Sequence, residues 1–163
     1  MASGVMTRAA WVALLCLVVG RPVHAAAPDG AIDSCGSGAD AVRIDVEITG
    51  IRLPKGNVTV LLYPDKPDDF LAKGKRLSKI RIPVHSNVVT ACMTAPAPGR
   101  YAIAFYHDQN GDRKLDRTLM GRPAEGFGFS NDPHVSAFGL PRFTDVLFAA
   151  GPGDNRLKMT MRY

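Results

Sequence analysis

Three carboxylates and an asparagine crowd into nine residues of the stretch "HDQNGDRKLD": Asp108, Asn110, Asp112 and Asp116. Hard cations are held by oxygens at alternating loop positions, and a calcium loop of the EF type uses positions 1, 3, 5, 7, 9 and 12, with glycine at 6. With Asp108 at position 1, Asn110 falls at 3, Asp112 at 5, the carbonyl of Lys114 at 7 and Asp116 at 9. Leu115 supplies the apolar residue at 8. The register then breaks twice, because Arg113 stands at the glycine position and Leu119 where a bidentate acid belongs. Glu125 or Asp132, further along the chain, could supply the missing oxygens. Calcium bound by such a set would be weak, roughly 10⁻⁴ to 10⁻³ M. The competing reading is a polar turn, since Asp, Asn and Gly populate turns without a metal.

Other chemistry is less well marked. His107 and His134 bracket the same region with Glu125 between them, so a metal-dependent hydrolase built on these three is the enzymatic alternative. No GxSxG nucleophile elbow is present, and Ser130 with a nearby His and Asp has only the residue types of a triad. No catalytic residue is assigned. In "EGFGFSNDP", Phe127 and Phe129 alternate with glycines and lead to Ser130 and Asn131. These four are candidates for an apolar ligand floor, for a sugar or peptide. The alternative is a loop that pins its phenylalanines into the core.

The elements that position these residues read as strands. "AVRIDVEITGI" puts Val42, Ile44, Val46 and Ile48 on one face against Arg43, Asp45 and Glu47. "VTVLLY" follows a turn at Gly56-Asn57. "PDKPDDFLAKGKR" interrupts the pattern, with Asp68 or Asp69 expected to cap one helical turn and Phe70 and Leu71 to plug it onto the core. "RLSKIRIPV" predicts an edge strand with Ile80, Ile82 and Val84 inward and Lys79, Arg81 and Pro83 outward. Its cations, with Lys73, Lys75 and Arg76, are expected to be a solvated edge, a polyanion site being the alternative. "VVTACM", "RYAIAFYH", "FTDVLFAA" and "NRLKMTMRY" complete about seven strands. Residues 108 to 142 are left as one long irregular loop, a length that is often functional. The expected fold is all-β, an antiparallel β-sandwich. An outer-membrane barrel is excluded by short strands without aromatic girdles.

The start of the 163-residue chain reads as an export signal: Arg8, then the apolar run "AAWVALLCLVVG", then Val23 and Ala25 as a cleavage site. The expected parts are a signal peptide over 1–25, a glycine-rich lead over 26–40 and one sandwich domain over 41–163. The expected location is periplasmic or extracellular, with no transmembrane segment in the mature chain. In an oxidising compartment Cys35 and Cys92 favour a disulfide over two free thiols. The charge balance is modestly basic, with no aromatic interleaving, which argues against nucleic acid.

The strings "GRYAIAFYHDQNGDRKLD", "MGRPAEGFGFSND" and "FGLPRFTDVLF" resemble an uncharacterised bacterial exported family, domain of unknown function 2141. The likeness runs from about Val42 to the C-terminus. It falls on Gly99, Tyr101, Ala102, Asp108, Asn110, Asp112, Asp116, Pro123, Glu125, Gly126, Gly128, Phe129, Ser130 and Asn131. Members usually carry glycine where Arg113 stands. The resemblance implies a transthyretin-like (prealbumin-like) sandwich and no established activity. The functional expectation is therefore an exported, non-enzymatic binding or envelope accessory module, with an envelope protein, peptide or glycan as partner and calcium as a loop-ordering cofactor. The other alternative is a purely structural module.

Overall fold

The computed structural model describes residues 1, 32–33, 35, 41–119, 121, 123–135 and 140–163. The expected signal peptide with its cleavage site, and most of the expected lead, lie outside the described residues.

Among the described residues, nine strands form two sheets. The first holds β1 (Ile32–Asp33), β5 (Val89–Ala95), β2 (Val42–Thr49) and β9 (Gly153–Thr160), in that order. The second holds β4 (Ser78–Pro83), β3 (Asn57–Pro64), β6 (Gly99–Asp108) and β7 (Phe127–Phe129), with β8 (Leu147–Ala150) also paired to β6. Within the second sheet every pairing is antiparallel. In the first, β2 runs antiparallel to β5 but parallel to β9. The expected sandwich is thus present, with two strands beyond the expected seven: the short β1 and β7.

Period-2 alternation builds the main core. Val42, Ile44, Val46 and Ile48 from β2 meet Val58, Val60 and Leu62 from β3 and Tyr101, Ile103 and Phe105 from β6. Burial of aliphatic side chains at this density is the main favourable term in folding. The far side of the second sheet is covered as well. There Tyr63, Ala102, Ala104, Phe129 and Val146 form a second cluster, joined by Phe70, Phe127 and Phe143. β6 is therefore buried on both faces, which is why it alternates large apolar residues with alanine rather than apolar with polar.

Three local expectations change. Phe143–Val146 is a single helical turn, α1, and only Leu147 onward is strand. The turn carries Val146 into the second cluster while Arg142 grips Asp145 through its Nε and Nη2, both 3.1 Å from the carboxylate. The interruption before β4 is a 3-10 turn, Pro67–Asp69, with no side-chain cap, and of its two expected plugs only Phe70 packs inward; Leu71 is exposed. Finally, Arg81 on the β4 edge is not a solvated outward charge, for the reason that follows.

Candidate functional site

Asp108 is the last residue of β6 and is fully buried, 0% exposed. A buried carboxylate needs donors for both oxygens. Oδ1 accepts the Gly111 N–H at 2.8 Å. Oδ2 accepts the Arg113 N–H at 3.0 Å and Nη2 of Arg81 at 2.7 Å. Arg81 reaches across β3, where Asn57 pairs with Asp108 and Thr59 with Arg81. The same Nη2 lies 3.4 Å from the Gly111 carbonyl. Neither the periodicity of β4 nor the loop motif announces this pairing; the available signal was an acid two residues beyond the run Tyr101 to Tyr106, which carries no charge.

The rest of the loop is held by its own side chains. Asn110 Oδ1 accepts the Asp112 N–H at 3.0 Å, and Asp112 Oδ1 accepts the Lys114 N–H at 2.8 Å. Asn110 Nδ2 donates to Asp116 at 3.0 Å. The Tyr106 hydroxyl donates to the Arg113 carbonyl at 3.1 Å. Arg113 has φ +70°, the left-handed backbone that glycine would favour at this position of the loop. The loop therefore takes the turn expected of position 6 despite its arginine.

Glu125 closes the structure from the second segment. Its buried carboxylate accepts the Gln109 N–H at 2.8 Å through Oε1 and the Asp116 N–H at 3.1 Å through Oε2. One side chain thus ties both ends of the loop, and the Ala124 N–H adds a bond to the Asp116 carbonyl at 2.8 Å.

The remainder of "EGFGFSND" is built into the sandwich. Gly126 lies against Tyr163, and a Cβ there would come within 2.7 Å of its ring; Gly128 leaves room for the ring of Phe105. Phe129 lies in the second cluster, and Phe127 packs against it, their rings 6.0 Å apart. The Ser130 hydroxyl accepts the Ile103 N–H at 2.9 Å and donates to the Val146 carbonyl at 2.5 Å. Asn131, itself at φ +66°, donates to the carbonyls of Leu147 and Asp145 at 2.8 and 3.2 Å. Asp132 Oδ1 accepts the Thr160 N–H at 2.9 Å.

His107 is buried at the start of the loop. Its Nε2 is 2.7 Å from the Lys55 carbonyl, which only accepts, so Nε2 carries the proton. In the neutral ring Nδ1 then accepts from the Tyr163 hydroxyl at 2.8 Å. That hydroxyl also accepts the Arg52 N–H at 3.1 Å, and the Arg52 guanidinium sits 4.5 Å from the centre of the same ring. His134 is exposed. Among the described residues, His107, Glu125 and His134 do not bring three ligand atoms within 4.8 Å of one another, nor do the acids of the loop; Cys35, Asp45 and Cys92 do. The two cysteines are joined as a disulfide, Cα–Cα 5.4 Å, on the outer side of β5.

Burial raises the Tyr63 phenol above its usual value, partly opposed by nearby Arg76. At the surface, the hydrogen bond between Arg142 and Asp145 raises the arginine and lowers the acid.

No helix among the described residues is long and apolar enough to cross a membrane. No match was found among curated proteins or among solved structures. The family described as an uncharacterized protein conserved in bacteria (DUF2141) matches residues 46–158, a span that contains β3 to β8, the buried Asp108 and the Glu125 brace. The chain belongs to that family.

Proposed function

We propose that the chain is an exported, non-enzymatic binding or accessory module of the cell envelope, presenting the 109–118 loop as a pre-organised surface to an envelope protein, a peptide or a glycan. One observation carries this reading. Asp108 and Glu125, the two acids best placed for chemistry, have their oxygens engaged by backbone N–H groups and Arg81. His107 is engaged at both ring nitrogens, by the Lys55 carbonyl and the Tyr163 hydroxyl. Buried groups committed to the protein's own donors in this way shape a loop. What the loop offers outward is Asn110, Asp112, Arg113, Lys114 and Arg117, all exposed.

Calcium enters this reading as a weak ligand of the outer acceptors Asn110, Asp112, Asp116 and the Lys114 carbonyl. The left-handed Arg113 and its N–H bond to Asp108 support it, because they give the loop the shape that calcium loops use. Titration calorimetry should give a Kd near ~10⁻³ M; a value below ~10⁻⁶ M would require Asp108 and Glu125 to abandon their donors and would overturn this account.

The binding function is tested with peptide and glycan arrays, comparing the protein with an Asp112→Asn/Lys114→Gln/Arg117→Gln variant. Retained fold with lost binding supports the proposal. Zinc-dependent turnover of ester, phosphate or peptide substrates that disappears in His134→Ala would replace it with the hydrolase reading. N-terminal sequencing of protein recovered from the envelope should begin near Ala26; a start at Met1 would remove the export element.

A further inference from the structure

At the end of the second sheet opposite to Asp108 lies a second surface of different character. Pro64 pairs with Tyr101 there, whereas Asn57 pairs with Asp108 at the loop end. The β3–β4 connection crosses this end. From Phe70 to His107 the chain has no Asp or Glu at all, yet it carries Lys73, Lys75, Arg76 and Lys79 within seven residues. All four are exposed. Among the described residues, the one ion pair they make is loose, Lys75 to Asp69 at 3.7 Å.

Two leucines bracket the first three of these cations. Leu71 is 37% exposed and Leu77 is 44% exposed. Leu71 also holds φ +61°, a backbone that L-residues rarely adopt and that glycine takes freely. The preceding Phe70 is already the loop's anchor, its ring 5.4 Å from Tyr63 and 5.4 Å from Phe143. The core therefore makes no demand on Leu71, and the strained backbone leaves its side chain at the surface.

We propose that the loop 71–77, together with Lys79, docks this domain on an anionic lipid surface, the lysines and Arg76 against headgroup phosphates and Leu71 and Leu77 in the acyl boundary. Exposed apolar side chains among clustered cations are what such an interface rewards, and a soluble polyanion would make no use of the leucines. Docked in this way, the domain holds the Asp108 end of the sheet away from the bilayer.

The test is co-sedimentation of the protein, as recovered from an expressing bacterium, with vesicles of phosphatidylglycerol and phosphatidylcholine against pure phosphatidylcholine. The quantity read is the excess on anionic vesicles, so binding common to both vesicle types cancels. Changing Lys73, Lys75 and Lys79 to Gln should lower that excess roughly hundredfold at low salt. High salt should weaken the wild type in the same direction. Leu71→Gly is the deciding variant: it relieves the left-handed backbone, so the melting temperature should hold or rise while binding falls about tenfold. The proposal is overturned if anionic vesicles bind no excess protein. It is equally overturned if Leu71→Gly and Leu77→Ser bind like wild type while soluble polyphosphate competes fully, which would make the patch a polyanion site without a bilayer.

Discussion

Replacing Arg81 by Met should separate the fold of the Asp-rich loop from any metal. Asp108 has no exposed surface, whereas the Arg81 side chain is 28% exposed. Removing one partner of a buried ion pair costs about 3–5 kcal/mol. Three features place this case at the low end. Asp108 keeps two backbone N–H donors, Arg81 is partly solvated, and its Nε is buried without a hydrogen-bonding partner, a penalty that methionine removes. The expected loss is about 3 kcal/mol, or roughly 10 °C in melting temperature for a domain of this size. Urea unfolding with the disulfide intact measures it, and a cycle with Asp108→Asn isolates the pairwise part, expected at about 2 kcal/mol. With Oδ2 freed of Arg81 and left with only the Arg113 N–H, 10 mM calcium should return about 1–3 kcal/mol to Arg81→Met and less to the wild type. A stability loss under ~1 kcal/mol, or a coupling under ~0.5 kcal/mol, would refute the view that an internal guanidinium holds this loop.

Arg113→Gly should raise stability by about 1 kcal/mol, because it relieves φ +70° at an exposed site; a lower melting temperature would show that the arginine side chain itself supports the loop. Ser130→Ala should cost about 2 kcal/mol by leaving the Ile103 N–H and the Val146 carbonyl without their buried partner, measured by the same urea curves. Thiol titration of denatured, unreduced protein should find Cys35 and Cys92 blocked, and changing both to Ser should lose about 2–4 kcal/mol. Burial raises the Tyr63 phenol, so the folded state keeps a proton that the unfolded chain releases near pH ~10. That contribution is complete below pH ~10 and declines as pH rises toward the folded value, and Tyr63→Phe should flatten the decline in an alkaline stability profile.

The sandwich was legible because its strands obey period-2 burial. Val42 to Ile48 and Val58 to Leu62 turn the same residues inward that the sequence pattern selects. Cys35 and Cys92 were legible from compartment chemistry, and the family from the strings around Asp108 and Glu125. The site was harder because its bonds are non-local. Arg81 meets Asp108 across 27 positions, and Ser130 meets Ile103 across 27. No local period carries that information. Yet one clue was present in "YAIAFY". A strand with no polar residue from Tyr101 to Tyr106 cannot leave one face in water, so its alanines had to lie beneath something. The cover is the second cluster, where Phe129 from "EGFGFSND" lies over Ala102 and Ala104. By the same parity Asp108 falls on the face of Ala102 and Ala104, and an acid entering a covered face must find a cation or several N–H donors. The adjoining edge strand offers Arg81 on its alternate face, and its own loop offers the N–H groups of Gly111 and Arg113. The buried acids Asp108 and Glu125 are therefore explained by burial and their donors before any ligand is invoked. A functional assignment has to rest on Asn110, Asp112, Lys114 and Arg117, which the fold leaves exposed.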